Sequence, residues 1–157
     1  MSDDGRALLR HTLATLAYRG GKAVRNAPPA FAGFSGGTRT PAQILAHIGD
    51  LMDWARHMAD GKPVWKDSAA RDWDEEVRRF FAALQTLDDR LAASEPLGVT
   101  AGAIFQGPIA DALTHVGQIA MLRRMAGAPI KGENYFKAEI VPGRVGPEQA
   151  QGRVEFD

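Results

Sequence analysis

The feature that most constrains this chain is a run of large apolar residues, Val77, Phe80, Leu84, Leu87 and Leu91, spaced by alternating intervals of three and four. That alternation puts all five on one stripe of a helix, and such a stripe needs other helices to cover it. Three more helical patterns are present. Leu9, Leu13, Leu16 and Ala17 recur at helical spacing between Asp3 and Tyr18; Gly20-Gly21 leaves the far end open, and Pro28-Pro29 stops it. A second helix starts at Thr40-Pro41-Ala42-Gln43, which combines a capping Thr, a Pro at the first helical position and a Gln three residues on. Its apolar face is Ile44, Leu45, Ile48, Leu51, Met52 and Ala55, and Gly61 and Pro63 close it. The striped third helix begins near Asp72, with Glu75 completing a further capping box, and ends by Pro96. A fourth starts at Gly107-Pro108, or earlier from Thr100, and ends at Gly127 and Pro129.

The expected fold is therefore all-α, a four-helix bundle forming one domain over residues 1–157. Its core spans about residues 3–127, and residues 128–157 form an irregular tail. Tyr135, Phe136, Ile140 and Val141 are too apolar for a free end, so the tail is expected to wrap over the bundle. Residues 27–39 read as a loop pinned by Phe31 and Phe34 that could cover a site.

At this length, a hydrophobic content of 45% builds one core without disulfide or metal support. Nineteen basic residues balance nineteen acidic ones, so no net field draws the chain to nucleic acid or to an anionic membrane. The start M-S-D-D-G-R lacks a signal-peptide pattern, and no apolar run approaches the ~18 residues of a membrane span. A cytoplasmic protein is expected, with a small molecule or a second copy of itself as partner. Having no cysteine, it has neither a thiolate ligand nor a cysteine nucleophile, and sulfur chemistry would need an external thiol.

Chemistry is concentrated on two helices. H-I-G-D at 47–50 on the second is echoed by H-V-G-Q at 115–118 on the fourth. A helical glycine costs about 1 kcal/mol relative to alanine, so Gly49 and Gly117 at the same offset favour a site between these helices. Asp111 and His115 stand one turn apart, and His47 from a facing helix would complete two histidines and a carboxylate. Three protein ligands leave positions open for water and substrate. Gln118 shares the polar stripe with Asp111 and His115, and Trp54 shares a margin with His47. The structural alternative assigns Asp111 to the helix dipole, His47 to a hydrogen-bonded histidine, Trp54 to packing and Gln118 to solvent. His11 and His57 read as solvated, and Asp50 and Asp53 as surface charges, with Asp50 a reserve ligand or a hydrogen-bond acceptor behind the ligands. Arg123, Arg124 and Lys131 complement a helix C-terminus, with anion binding the lesser alternative. No nucleophile elbow, phosphate loop or dinucleotide fingerprint is present.

With I-L-A-H-I-G-D on the second helix and T-H-V-G-Q-I-A-M-L-R-R on the fourth, the chain resembles the DinB/YfiT-like superfamily of metal-dependent enzymes over about its first 130 residues. The resemblance implies a four-helix bundle, a homodimer, and a divalent ion (Zn, Ni, Fe or Mn) on His47, Asp111 and His115. It departs at Asp111, where the family commonly has histidine; the carboxylate neutralises part of the cation's charge. It implies transferase-type chemistry on a small molecule, using a low-molecular-weight thiol such as bacillithiol, mycothiol or glutathione. Metal-activated hydrolysis is the companion expectation, with Gln118 orienting a ligand and Trp54 walling the pocket. The alternative from another class is a non-catalytic dimeric bundle that binds a metal or small ligand as a sensor or interaction module.

Overall fold

A computed structural model describes residues 3–157. Helix α1 spans Asp3–Val24, α2 Pro41–Ala59 and α3 Trp73–Ala92. The fourth helix is continuous but composite, with α4 Ala101–Ile104, a π-helical turn Phe105–Ile109 and α5 Ala110–Met125. The apolar stripes read from the sequence meet in one core: Leu13, Leu16, Leu45, Ile48, Met52, Phe80, Leu84, Leu87, Leu91, Ile104, Ile109 and Ile119 are all buried. α2 packs on α3 and α5, and α1 on α3 and α5. The order around the bundle is therefore α1, α3, α2, α5, and the first two helices stand diagonally opposite. The connection between them, residues 25–40, is long enough to cross that diagonal. It is held midway by a 3-10 turn, Pro29–Gly33, whose Phe31 is buried edge-on against Trp73.

The local signals act as their chemistry dictates at α2. Thr40 and Gln43 form the reciprocal capping box ahead of Pro41. At α3 the expected box does not form: Asp72 caps without a side-chain bond, and Glu76, one residue past Glu75, instead accepts from the Arg71 amide. α1 runs through Gly20 and Gly21 because the core needs a gap there. A Cβ on Gly20 would stand 2.6 Å from the Phe80 ring. Gly127 ends the fourth helix in the left-handed region at φ 78°, a conformation a side chain resists.

The fourth helix starts at the earlier of the two expected positions. Thr100, not Gly107, caps it, accepting from the Ala103 amide, and Pro108 lies inside the helix. Proline has no N–H and its ring collides with the carbonyl one turn back in an α-helix. A π turn is wider and accommodates both faults. Asp111 is thus more than two turns past the N-cap, too far for the helix dipole to account for it.

The tail does wrap the bundle, chiefly along α1. β1 (Gly132–Glu133) and β2 (Glu155–Phe156) pair antiparallel. Val145 is buried in the core, and Tyr135 stands edge-on against Tyr18 with Arg19 over its ring at 4.1 Å. Phe136 is not an anchor as expected, being 94% exposed. The tail's polar anchor is Glu133. Arg123 serves helix C-termini as expected, but from a buried position: it donates to the carbonyls of Ala23, Arg25 and Ala128, tying the ends of α1 and α5 together. No described helix is long and apolar enough to cross a membrane.

Candidate metal centre

The fold brings His47 of α2 against Asp111 and His115 of α5, with one ligand atom from each within 4.8 Å of the others. The carboxylate reaches a nitrogen of each ring. Asp111 Oδ2 lies 3.3 Å from His47 Nε2, and Oδ1 lies 3.3 Å from His115 Nδ1. The two imidazoles are 4.6 Å apart, centre to centre. The backbone settles one tautomer: His115 Nδ1–H donates to the Asp111 carbonyl at 2.8 Å, because a carbonyl can only accept. Neutral His115 therefore turns an Nε2 lone pair outward, in the form a metal ligand takes.

His47 is the unusual member. Its Nδ1 is buried and has no hydrogen-bond partner, and Nε2 reaches only Asp111. A buried unmet group costs about 1–3 kcal/mol, and an ion on Nε2 would leave this Nδ1 unmet as well. The Asp111 side chain is 45% exposed, so the cluster opens to solvent on the carboxylate side. Ligand atoms around a four-coordinate ion with bonds of about 2.1 Å stand roughly 3.4 Å apart. The His47–Asp111 spacing meets this, and the widest pair must close inward on a bound ion. The cluster could thus hold a metal ion.

Two aromatic side chains line the His47 side. Trp65 stands edge-on to His47 at 5.6 Å, and Trp54 stands edge-on to Trp65 at 5.8 Å. Trp54 is therefore one residue removed from the cluster, and Trp65 makes the contact. Sequence periodicity could not find Trp65, because it lies in the irregular segment between α2 and α3; its only signal is a lone tryptophan in the polar stretch K-P-V-W-K-D. Gln118 is exposed, makes no side-chain hydrogen bond among the described residues, and lines a groove on the neighbouring face with Gly117. His11 is exposed as expected, whereas the His57 ring is fixed by the Asp53 carbonyl. The tail's Tyr135 belongs to the α1 face.

Asp50 is neither a surface charge nor a reserve ligand. It is 1% exposed and accepts from the Ser68 amide and hydroxyl, each at 2.7 Å, and from Arg79 at 2.5 Å. Burial pulls its carboxyl upward in pKa, but those donors outweigh burial and hold it below the ordinary range. Arg79 also donates to Asp53 and to the Ala46 carbonyl. A Cβ on Gly49 would lie 3.0 Å from the Arg79 guanidinium, so that glycine makes room for Arg79 and not for a ligand. Gly117 has open space where its side chain would be. The resulting clamp fixes Ser68, and with it the segment that carries Trp65, to α2.

No family model, curated protein or solved structure matches the chain.

Proposed function

We propose that this chain is a divalent-metal-dependent enzyme of the DinB/YfiT-like kind, with His47, Asp111 and His115 as its metal ligands and a small molecule as its substrate. The observation that carries the reading is the convergence of three ligand-bearing side chains on one point. Two histidines and a carboxylate converge from two helices, and the carboxylate side opens to solvent. A bound divalent ion supplies Lewis-acid activation of a nucleophile, either water or an external low-molecular-weight thiol. The chain's own part is positional. The Asp111 carbonyl holds His115 in the ligating tautomer, the carboxylate offsets part of the cation's charge, and Trp65 shields one side of His47. The absence of cysteine favours a thiol brought by a co-substrate over one from the chain.

The test begins with elemental analysis of untagged protein and of His47→Ala, Asp111→His and His115→Ala. One ion per chain in the wild type, lost in both alanine variants and kept in Asp111→His, is expected; wild-type affinity in both alanine variants would remove the triad. Metal-loaded protein is then screened with glutathione, bacillithiol and mycothiol against electrophiles, alongside a hydrolase panel, with metal-free protein as control. Turnover only in the hydrolase panel excludes the thiol. Bound metal with both panels silent assigns the non-catalytic sensor or interaction module instead.

A further inference from the structure

Two side chains of opposite charge line the cavity that includes His47, and they do not meet. The cavity has a volume of 340 Å³, and Arg39 and Asp67 both contribute to its wall, together with Gln43 and Ser68. No ion pair joins Arg39 to Asp67, or either to any other described residue. Both are nonetheless carried on fixed backbone. Arg39 immediately precedes Thr40, locked in the α2 capping box, and Asp67 immediately precedes Ser68, clamped to buried Asp50. Opposite charges held on anchored supports, unpaired in one cavity, complement a molecule that carries both signs.

Arg39 also borders a second space. Thr38 and Arg39 line a groove of 550 Å³ against α5, whose floor includes Ile44, Met121, Leu122 and Met125. Met121 and Met125 are more than half exposed there. Gly36 forms the facing edge, and a Cβ on it would stand 3.0 Å from Leu122 and 3.3 Å from Met125, so the loop lies close against the helix there. Unbranched, polarizable methionine side chains adapt to the shape of an apolar chain. A polar cavity holding His47 thus adjoins an apolar groove, with Arg39 common to both.

We infer that the site takes a small zwitterion of the α-amino-acid class with an unbranched apolar side chain. Its carboxylate pairs with Arg39, its ammonium with Asp67, and its carbon chain runs into the methionine-lined groove, leaving the head group beside His47. Calling this molecule a substrate rests on the metal-dependent reading above.

The test is an amide-resolved NMR titration of the full, untagged chain with L-norleucine, with and without Zn²⁺. Hexanoate, pentylamine and glycine serve as probes lacking the ammonium, the carboxylate and the chain. Norleucine is expected to bind and to shift amides around Arg39 and Asp67, with each partial probe binding about tenfold more weakly or worse. Arg39→Gln and Asp67→Asn, both surface substitutions, should each cost about tenfold with the spectrum otherwise unchanged. No shift with norleucine in either state, hexanoate binding as tightly as norleucine, or unchanged affinity in both variants overturns the inference. Zinc content measured on the same samples separates the two readings. Zinc taken up with no norleucine bound defeats only this inference, whereas norleucine bound by protein that takes up none of the added zinc defeats the metal reading and leaves the ligand site standing.

Discussion

Glu133 in the tail has both its partners on α1, Asp111 has one on α2 and one a turn along its own helix, and the fold treats the two carboxylates differently. Glu133 is fully used. Its side chain is 0% exposed, Oε2 accepts from the Tyr18 hydroxyl at 2.6 Å, and Oε1 accepts from Lys22 at 2.7 Å. Burial and the adjoining Glu133 carboxylate raise the Tyr18 hydroxyl far above its usual pKa, so it remains a donor. Lys22 goes on to bridge Glu155 in the partner strand. Asp111 is half open, its nearest side-chain nitrogens stand 3.3 Å away, and the adjacent His47 keeps an unmet buried nitrogen. A polar cluster that completes itself stabilises the fold, and one that leaves capacity unused is available to a ligand. Both are charged groups between helix and neighbour; satisfaction is what separates them.

The largest expected effect tests the first half of that contrast. Glu133→Ala strands Tyr18 and half-strands Lys22, and should cost about 3 kcal/mol in urea denaturation; a loss below about 1 kcal/mol would mean that the tail is held by Tyr135 and Val145 alone. The next effect tests the second half. In metal-free protein, His47→Ala and His115→Ala should change stability by less than about 1 kcal/mol. An ion at about 100 times its Kd should add about 2.7 kcal/mol to the wild type and nothing to either variant. Equal zinc stabilisation in all three proteins would erase the distinction between the clusters.

Asp50 sharpens the comparison as a second satisfied cluster. Because its folded pKa is depressed, its stabilisation is complete above the ordinary carboxylate value and is lost as pH falls through the lower folded one. Asp50→Asn should cost about 2 kcal/mol at neutral pH and flatten the acid limb of the stability profile below about pH 4. An unchanged acid limb in a pH series of denaturation curves would assign it to other carboxylates. The smallest expected effect is at Gln118, which has no bond to the cluster: Gln118→Ala should leave ion affinity within about twofold. A larger loss would show that its side chain reaches the ligands once an ion is bound.

What the sequence determined by itself was the set of helices and the stripe each turns inward. Periodicity, the Thr40 capping box, and the Gly61 and Gly127 stops act over a turn or two, so they are readable from neighbours along the chain. His47, Asp111 and His115 were legible for the same reason, as polar residues on the margins of those stripes. Only the tertiary structure decided which margins face one another. The diagonal placement of α1 and α2, the π turn that takes Pro108 inside a helix, and the packing of Trp65 on His47 depend on how all four faces fit together. It also decided the fate of each charge. Asp50 with Arg79, Arg123 with the Ala23 carbonyl and Glu133 with Tyr18 pair across 29, 100 and 115 residues. A buried charge is stable only with a partner at hydrogen-bonding distance, and that distance exists only once the bundle has closed.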